Sequence, residues 1–146
     1  MKPFEGVLTI LDSPSDSPLT NSKEHRLVLT RRAVRQGLHT LLGKPVNCHA
    51  NLERHDMNNP IGIIQSAHID DRNRLIVYGR INEESLPRTT ETLGMSVELD
   101  RVFIDDMRAD VWIAYKCIFG GAAVLKRNKA AYKSTAFMVN QRGYFA

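Results

Sequence analysis

A serine, a histidine and a carboxylate are the residues of this chain whose types and placement could do chemistry. In Leu93-Gly94-Met95-Ser96-Val97-Glu98, apolar and polar residues alternate through Asp100. Alternation with a period of two sends Met95, Val97 and Leu99 to one side of a strand and Ser96, Glu98 and Asp100 to the other. Neighbours on one side are then ~7 Å apart along the strand. A serine becomes a nucleophile when a base stands within hydrogen-bond reach and a third group orients that base. Glu98 or Asp100 could fill the third role. An ordinary serine on a solvated strand has the same pattern, so the motif needs a base from elsewhere.

Of five histidines, His25 and His39 read as surface residues, on a loop and a helix, and His68 lies on a strand with no motif around it. His55, followed by Asp56, lies on the loop just before a strand, where an imidazole can reach a neighbouring strand. Its free pKa of ~6.5 suits a general base near neutral pH. His49 ends a short strand, on the face opposite Val46 and Cys48, and is the second candidate. His49, Glu53, His55 and Asp56 are close enough in sequence to suggest a metal, but their spacing fits no zinc pattern, and neither cysteine has a C-x-x-C partner. Gly120-Gly121 is not a P-loop, and no G-x-G-x-x-G occurs. No metal or other cofactor is expected.

The elements that must position these residues follow from pattern. Strands are expected over 6–11, 27–29, 45–49, 61–69, 75–81, 95–104, 111–125 and 135–139. One helix runs from an N-cap at Thr30 to Leu42, with Val34, Leu38, Leu41 and Leu42 on its apolar face. Gly43 ends it and Pro45 prevents its continuation. Ile61, Ile63, Ala67 and Ile69 share a face of one strand, and Asp70-Asp71-Arg72-Asn73 turns it into the next. Residues 83–92 read as a short helix or ordered loop limited by Pro87, and Ala130-Ala131-Tyr132 as a single helical turn. Gly120-Gly121 within a strand marks a bulge or a close backbone approach. The fold class expected is mainly β with one or two helices (α+β), a small antiparallel β-barrel or curved sheet.

The 146 residues suit one domain, 1–146, with a core that needs no staples. Ser13-Pro14-Ser15-Asp16-Ser17-Pro18 suggests that residues 12–24 form a loop that is flexible or ordered by a partner. Cys48 and Cys117 lie in apolar runs and read as buried free thiols. The N-terminus lacks the apolar core of a secretory signal, and no run is long enough to span a bilayer, so a cytoplasmic protein without a membrane partner is expected. Lys and Arg number 20 against 16 acids, a mild excess, and aromatics are 7%. Nucleic acid is therefore not an expected partner. The basic stretches Arg31-Arg32-Arg35 and Lys126-Arg127-Lys129-Lys133 read as solvated faces, or as surfaces for an acidic protein.

Taken together and in order, these segments resemble the phage head maturation (prohead) serine proteases, whose barrel is similar to that of the herpesvirus assembly proteases. Gly6-Val7-Leu8 with Pro14-Ser15 resembles the opening strand and loop, and Leu41-Leu42-Gly43-Lys44-Pro45-Val46 the helix end and following strand. His55-Asp56 through Pro60-Ile61-Gly62 resembles the histidine motif, and Leu93 through Glu98 the serine motif. Phe119-Gly120-Gly121-Ala122-Ala123-Val124-Leu125 and Lys129-Ala130-Ala131-Tyr132 resemble the closing strand and segment. The resemblance implies Ser96 as nucleophile and His55 as base, with His49 in reserve because it also follows a Gly-Lys-Pro strand. Some members carry an acid in the closing strand where this chain has Gly120-Gly121, so Glu98 enters as third member on geometry alone.

The resemblance implies a protein of phage head assembly that cleaves scaffold or capsid precursors. Its expected partners are the major capsid protein, a scaffold protein and further copies of itself. Its expected location is the host cytoplasm during assembly. The alternative is a non-catalytic cement or decoration protein on the same fold, bound to the major capsid protein in the virion head.

Overall fold

Eight strands and one short α-helix make up the chain in the computed structural model, which describes residues 1–19 and 24–139. The strands are β1 (Lys2–Ile10), β2 (Arg26–Leu29), β3 (Pro45–Asn47), β4 (Pro60–Ile69), β5 (Arg74–Ile81), β6 (Leu93–Ile104), β7 (Val111–Lys126) and β8 (Ala136–Val139). They join in the order β2-β7-β3-β4-β5-β1-β8, with β6 paired to β7. The sheet curls into an open half-barrel, a mainly β architecture as the strand-rich pattern predicts.

β7 is the spine. It is 16 residues long and pairs with β6 along one edge from Ala114 to Lys126. Along its other edge, β2 runs parallel to Val111–Ala114 and β3 runs parallel to Ala122 and Ala123. One strand thus carries two short ones end to end, with the helix α1 (Arg31–Gly37) between them in the chain. The remaining pairs are antiparallel, including the β4–β5 hairpin. The sheet bends back until β1 meets β6: a Cβ on Gly6 would overlap the Met95 sulfur. Met95, Val97 and Leu99 reach the interior and join Phe4, Leu8, Ile64, Val77 and Phe119 in one apolar cluster. Ser96 and Glu98 therefore stand on the outer side of β6.

Two expectations change in detail. The α-helix ends at Gly37 and continues as a 3₁₀ turn, Leu38–Leu41. At Gly37 the backbone of β7 is so close that a Cβ would overlap the Cys117 carbonyl, and Thr40 Oγ1 donates to the Gly37 carbonyl at 2.6 Å. The tighter winding rotates Leu42 away from the core, leaving it 51% exposed while Val34 and Leu41 are buried. In β4 a register shift between Ile64 and Ser66 breaks the alternation, so Ile64 is buried and Ile63 is exposed. Thr30 caps α1 by accepting from the Ala33 N–H at 3.1 Å, and its hydroxyl donates to the Ala114 carbonyl at 3.0 Å. The residues 83–85 form a 3₁₀ turn, as do 127–129, just before the segment 130–132 expected to do so.

In the segment 13–18, the buried Ser15 bonds to β2 through both backbone and side chain: its N–H donates to the Leu27 carbonyl and its Oγ accepts from the Leu27 N–H. Residues 20–23 of the 12–24 loop lie outside the described residues. Both cysteines are buried and free, and burial pushes the Cys117 thiol up to about 11. Among the described residues, no helix is long and apolar enough to cross a membrane.

One buried group has a pH consequence. Glu5 of β1 lies opposite Tyr78 and Met138, is fully buried, and among the described residues neither carboxylate oxygen has a hydrogen-bond partner. Burial raises its pKa above the ordinary carboxylate value. The folded chain then keeps this proton to a higher pH than the unfolded chain does. The stability this group permits is full below the unfolded carboxylate range and is lost as pH rises through the folded pKa. Glu5→Gln should melt with the parent near pH ~4 and above it at pH ~8, by roughly 2–4 °C. Thermal melts by circular dichroism across that range check the crossing. A constant offset between the two proteins would contradict it.

Candidate active site

Strand register brings three outward-facing rows together across β3, β7 and β6. Asn47 lies beside Ala123, and Ala123 beside Ser96. One step along, Glu98 lies beside Gly121. The small residues of β7 leave its outer face low, so the Glu98 side chain can cross it. A Cβ at Gly121 would lie 2.7 Å from the Pro45 carbonyl and 3.0 Å from Glu98 Oε1, and the backbone there has φ +154. The glycine pair that reads in sequence as a close approach is where the carboxylate passes.

Glu98 ends in a buried network. Its Oε2 accepts from His55 Nδ1 at 2.7 Å and from Asn47 Nδ2 at 2.6 Å. Asn47 Oδ1 in turn accepts from the Asp56 N–H at 2.9 Å, clamping the loop next to His55 onto β3. A carboxylate accepts only, so His55 Nδ1 carries the proton in this pair. Among the described residues Nε2 has no hydrogen-bond partner and is the nitrogen left for a substrate or a nucleophile. Glu98 is 4% exposed and the His55 side chain 16%, so the pair is screened little by water. Glu98 Oε1 is buried with no hydrogen-bond partner among the described residues.

The loop 48–59 forms the roof. Leu52 is buried in left-handed geometry (φ 57), and its carbonyl accepts from the Lys126 N–H at 2.7 Å, pinning the loop over the end of β7. Lys126 adds ion pairs to Glu53 at 3.1 Å and Glu91 at 3.0 Å. Asp56 holds the turn before β4 by accepting from the Asn58 N–H through its carboxylate.

Ser96 shares the outer face with Glu98 two residues away and is 6% exposed. Among the described residues its hydroxyl has no hydrogen-bond partner. The structure thus brings Ser96, His55 and Glu98 to one face, with the bond between histidine and acid formed. His49 is held in its own loop: the Asn51 N–H is 3.1 Å from Nδ1, and Arg54 Nη2 is 2.9 Å from Nε2. His25 stacks on Trp112 and His68 on Tyr78. Asp100 lies in a register shift between Leu99 and Arg101 and is exposed. Among the described residues no cluster of His, Cys, Asp or Glu is arranged to hold a metal ion.

Two contributors escape a reading of the sequence. Asn47 carries the second donor to Glu98, and its only signal is that it is the polar residue between Val46 and Cys48 in a short strand. Arg127 is the other. Its N–H donates to the Thr92 carbonyl, its Cα lies 3.1 Å from the position of a Cβ on Gly94, and its side-chain Nε is buried with no hydrogen-bond partner among the described residues. With Thr92, Glu91 and Lys133 it lines an open groove beside the serine strand.

Because Gly121 is needed for space as well as for backbone angle, Gly121→Val should destabilise the fold by about 1–3 kcal/mol and displace Glu98 from His55. Long-range ¹H–¹⁵N spectra check the second effect. The parent should show neutral His55 protonated at Nδ1, and both Gly121→Val and Glu98→Ala should lose that preference. Compared with known proteins, the chain matches no family model and has no counterpart in sequence among curated proteins.

Proposed function

We propose that this chain is a serine endopeptidase of the prohead maturation type, cutting scaffold or capsid precursors during phage head assembly. The observation that carries this reading is the 2.7 Å bond from His55 Nδ1 to the buried Glu98, formed on the same strand face as Ser96. An imidazole oriented by a carboxylate through one nitrogen and free at the other is what a serine nucleophile requires.

In this mechanism His55 Nε2 takes the proton of Ser96 Oγ as the oxygen attacks a peptide carbonyl carbon. The C=O π bond opens to an oxyanion. Collapse of the tetrahedral intermediate breaks the C–N bond, and His55 returns the proton to the leaving amine. Water, deprotonated by the same nitrogen, then attacks the acyl carbon; the C–Oγ bond breaks, the carboxylic acid leaves, and His55 returns the proton to Ser96 Oγ. Glu98 is a positioning residue: it holds the tautomer and offsets the charge of the imidazolium. Asn47 shares in positioning by fixing the carboxylate. Arg127, beside Gly94 and with a side-chain N–H that has no partner among the described residues, is a source of positive potential for the oxyanion. The precursor substrates, the capsid and scaffold partners and the head-assembly setting rest on the resemblance.

A second reading, a capsid cement protein on the same fold, is favoured by one observation: the Ser96 hydroxyl is not bonded to His55 among the described residues. Catalytic hydrogen bonds are often long before substrate binds, so the two readings differ in chemistry rather than in shape. A fluorophosphonate probe separates them. The protease reading expects a covalent adduct on Ser96, no adduct in Ser96→Ala, and labelling of His55→Ala slowed by about 10²–10⁴-fold, with the melting temperature of Ser96→Ala unchanged. A folded parent that remains unlabelled, together with many copies retained in mature heads, would establish the cement reading.

A further inference from the structure

Beyond the site, β6 continues as one arm of a hairpin with β7, and among the described residues β7 is the one strand paired with it. The opposite edge over Arg101–Ile104 therefore offers unpaired backbone N–H and C=O groups. Arg101 and Phe103 share the outer face here, with the Arg101 guanidinium 5.7 Å from the Phe103 ring centre. Lys116 Nζ is 5.3 Å from the same ring and Tyr115 6.2 Å. Ile113 is 57% and Tyr115 50% exposed beside them. An unpaired edge next to exposed apolar side chains is a template for another strand.

We propose that two copies of this chain pair antiparallel through this edge, β6 against β6, about a twofold axis at Phe103. The register follows from charge. In a twofold antiparallel pair, residues equally far before and after the central residue stand opposite each other. A centre at Phe103 sets Arg101 against Asp105 of the second copy, and Asp105 against its Arg101. Phe103 meets itself, and Val102 meets Ile104. Asp105 is the first residue past β6, in a bend, so this pairing extends the strand by one residue, and the outer row then reads cation–anion, aromatic–aromatic, anion–cation, the pairings that stabilise a sheet. A centre at Val102 would put Arg101 against Phe103 and Asp100 against Ile104. A centre at Ile104 would put Phe103 against Asp105 and Val102 against Asp106. Within residues 101–105, Phe103 alone of these three centres matches opposite charges. Asp100 and Asp106 bound the ladder: the first lies in the register shift of β6, and the second is in the turn, accepting from the Arg108 N–H at 3.0 Å.

Sedimentation across a concentration series tests the interface, using the whole chain. The parent should dimerise. Arg101→Asp and Asp105→Arg should each weaken dimerisation by about tenfold or more, since each sets like charges opposite one another twice. The double variant restores both pairs and should return to the parent's dissociation constant. Phe103→Cys supplies an independent measurement. Residues directly opposite have Cα atoms ~4.5–5.5 Å apart, within the range of a disulfide, so mild oxidation should give a covalent dimer. The native thiols are buried. A parent that is monomeric throughout, a double variant as weak as the singles, or a Phe103→Cys chain that stays monomeric under oxidation would each overturn the proposal.

Discussion

A carboxylate taken out of water must be given donors, and the outer face of this half-barrel is arranged around that constraint. Glu98 is buried, and it crosses β7 only because Gly121 presents no side chain there. On the far side it meets Asn47 and His55, which arrive from β3 and from the loop after it. Asn47 then spends its remaining acceptor on the Asp56 backbone. One charge thereby fixes the spacing of three strands and the lie of a loop. Replacing any member would leave a buried polar group unpaired, which costs more than the bond itself contributes.

The length of β7 makes that arrangement possible. A strand of 16 residues can hold β2 at one end and β3 at the other while β6 runs along its free side from Ala114 to Lys126. The outer row of β3 is thus set across β7 from the serine strand. The helix that links β2 to β3 is kept against β7 by the Thr30 cap, by Thr40 and by the Cys117 thiol, which donates to the Ala33 carbonyl. Register shifts between β6 and β7 separate the end of the pair that carries the site from the end that β2 borders. The outer surfaces differ: the first is roofed by the loop 48–59, and the second exposes Ile113 and Tyr115 beside Phe103 and its cations.

Among the described residues, one oxygen of Glu98 and one N–H of Arg127 are buried without hydrogen-bond partners. Unsatisfied groups of this kind are costly in a purely structural wall and are common where a ligand completes the bonding. Both lie along the strand of Ser96. Glu5 is a separate case on the opposite part of the sheet, where burial beside Tyr78 raises both groups.

Local pattern by itself determined the strands, the cap at Thr30, the turn at Asp70–Asn73, and the division of β6 into a core side with Met95, Val97 and Leu99 and an outer side with Ser96 and Glu98. These depend on periodicity and turn chemistry, which act over a few residues. The 3₁₀ ending of the helix and the shift that buries Ile64 in place of Ile63 were not legible, because each answers to a neighbouring strand: Cys117 presses on Gly37, and β5 sets the register of β4. At the candidate site the residue types and the outward alternation could be read, but not which acid His55 would meet or that Asn47 would share it. Only the tertiary structure decided that. The contact joins residues 43 apart in sequence, across a strand whose low glycine face matters solely once three strands lie side by side.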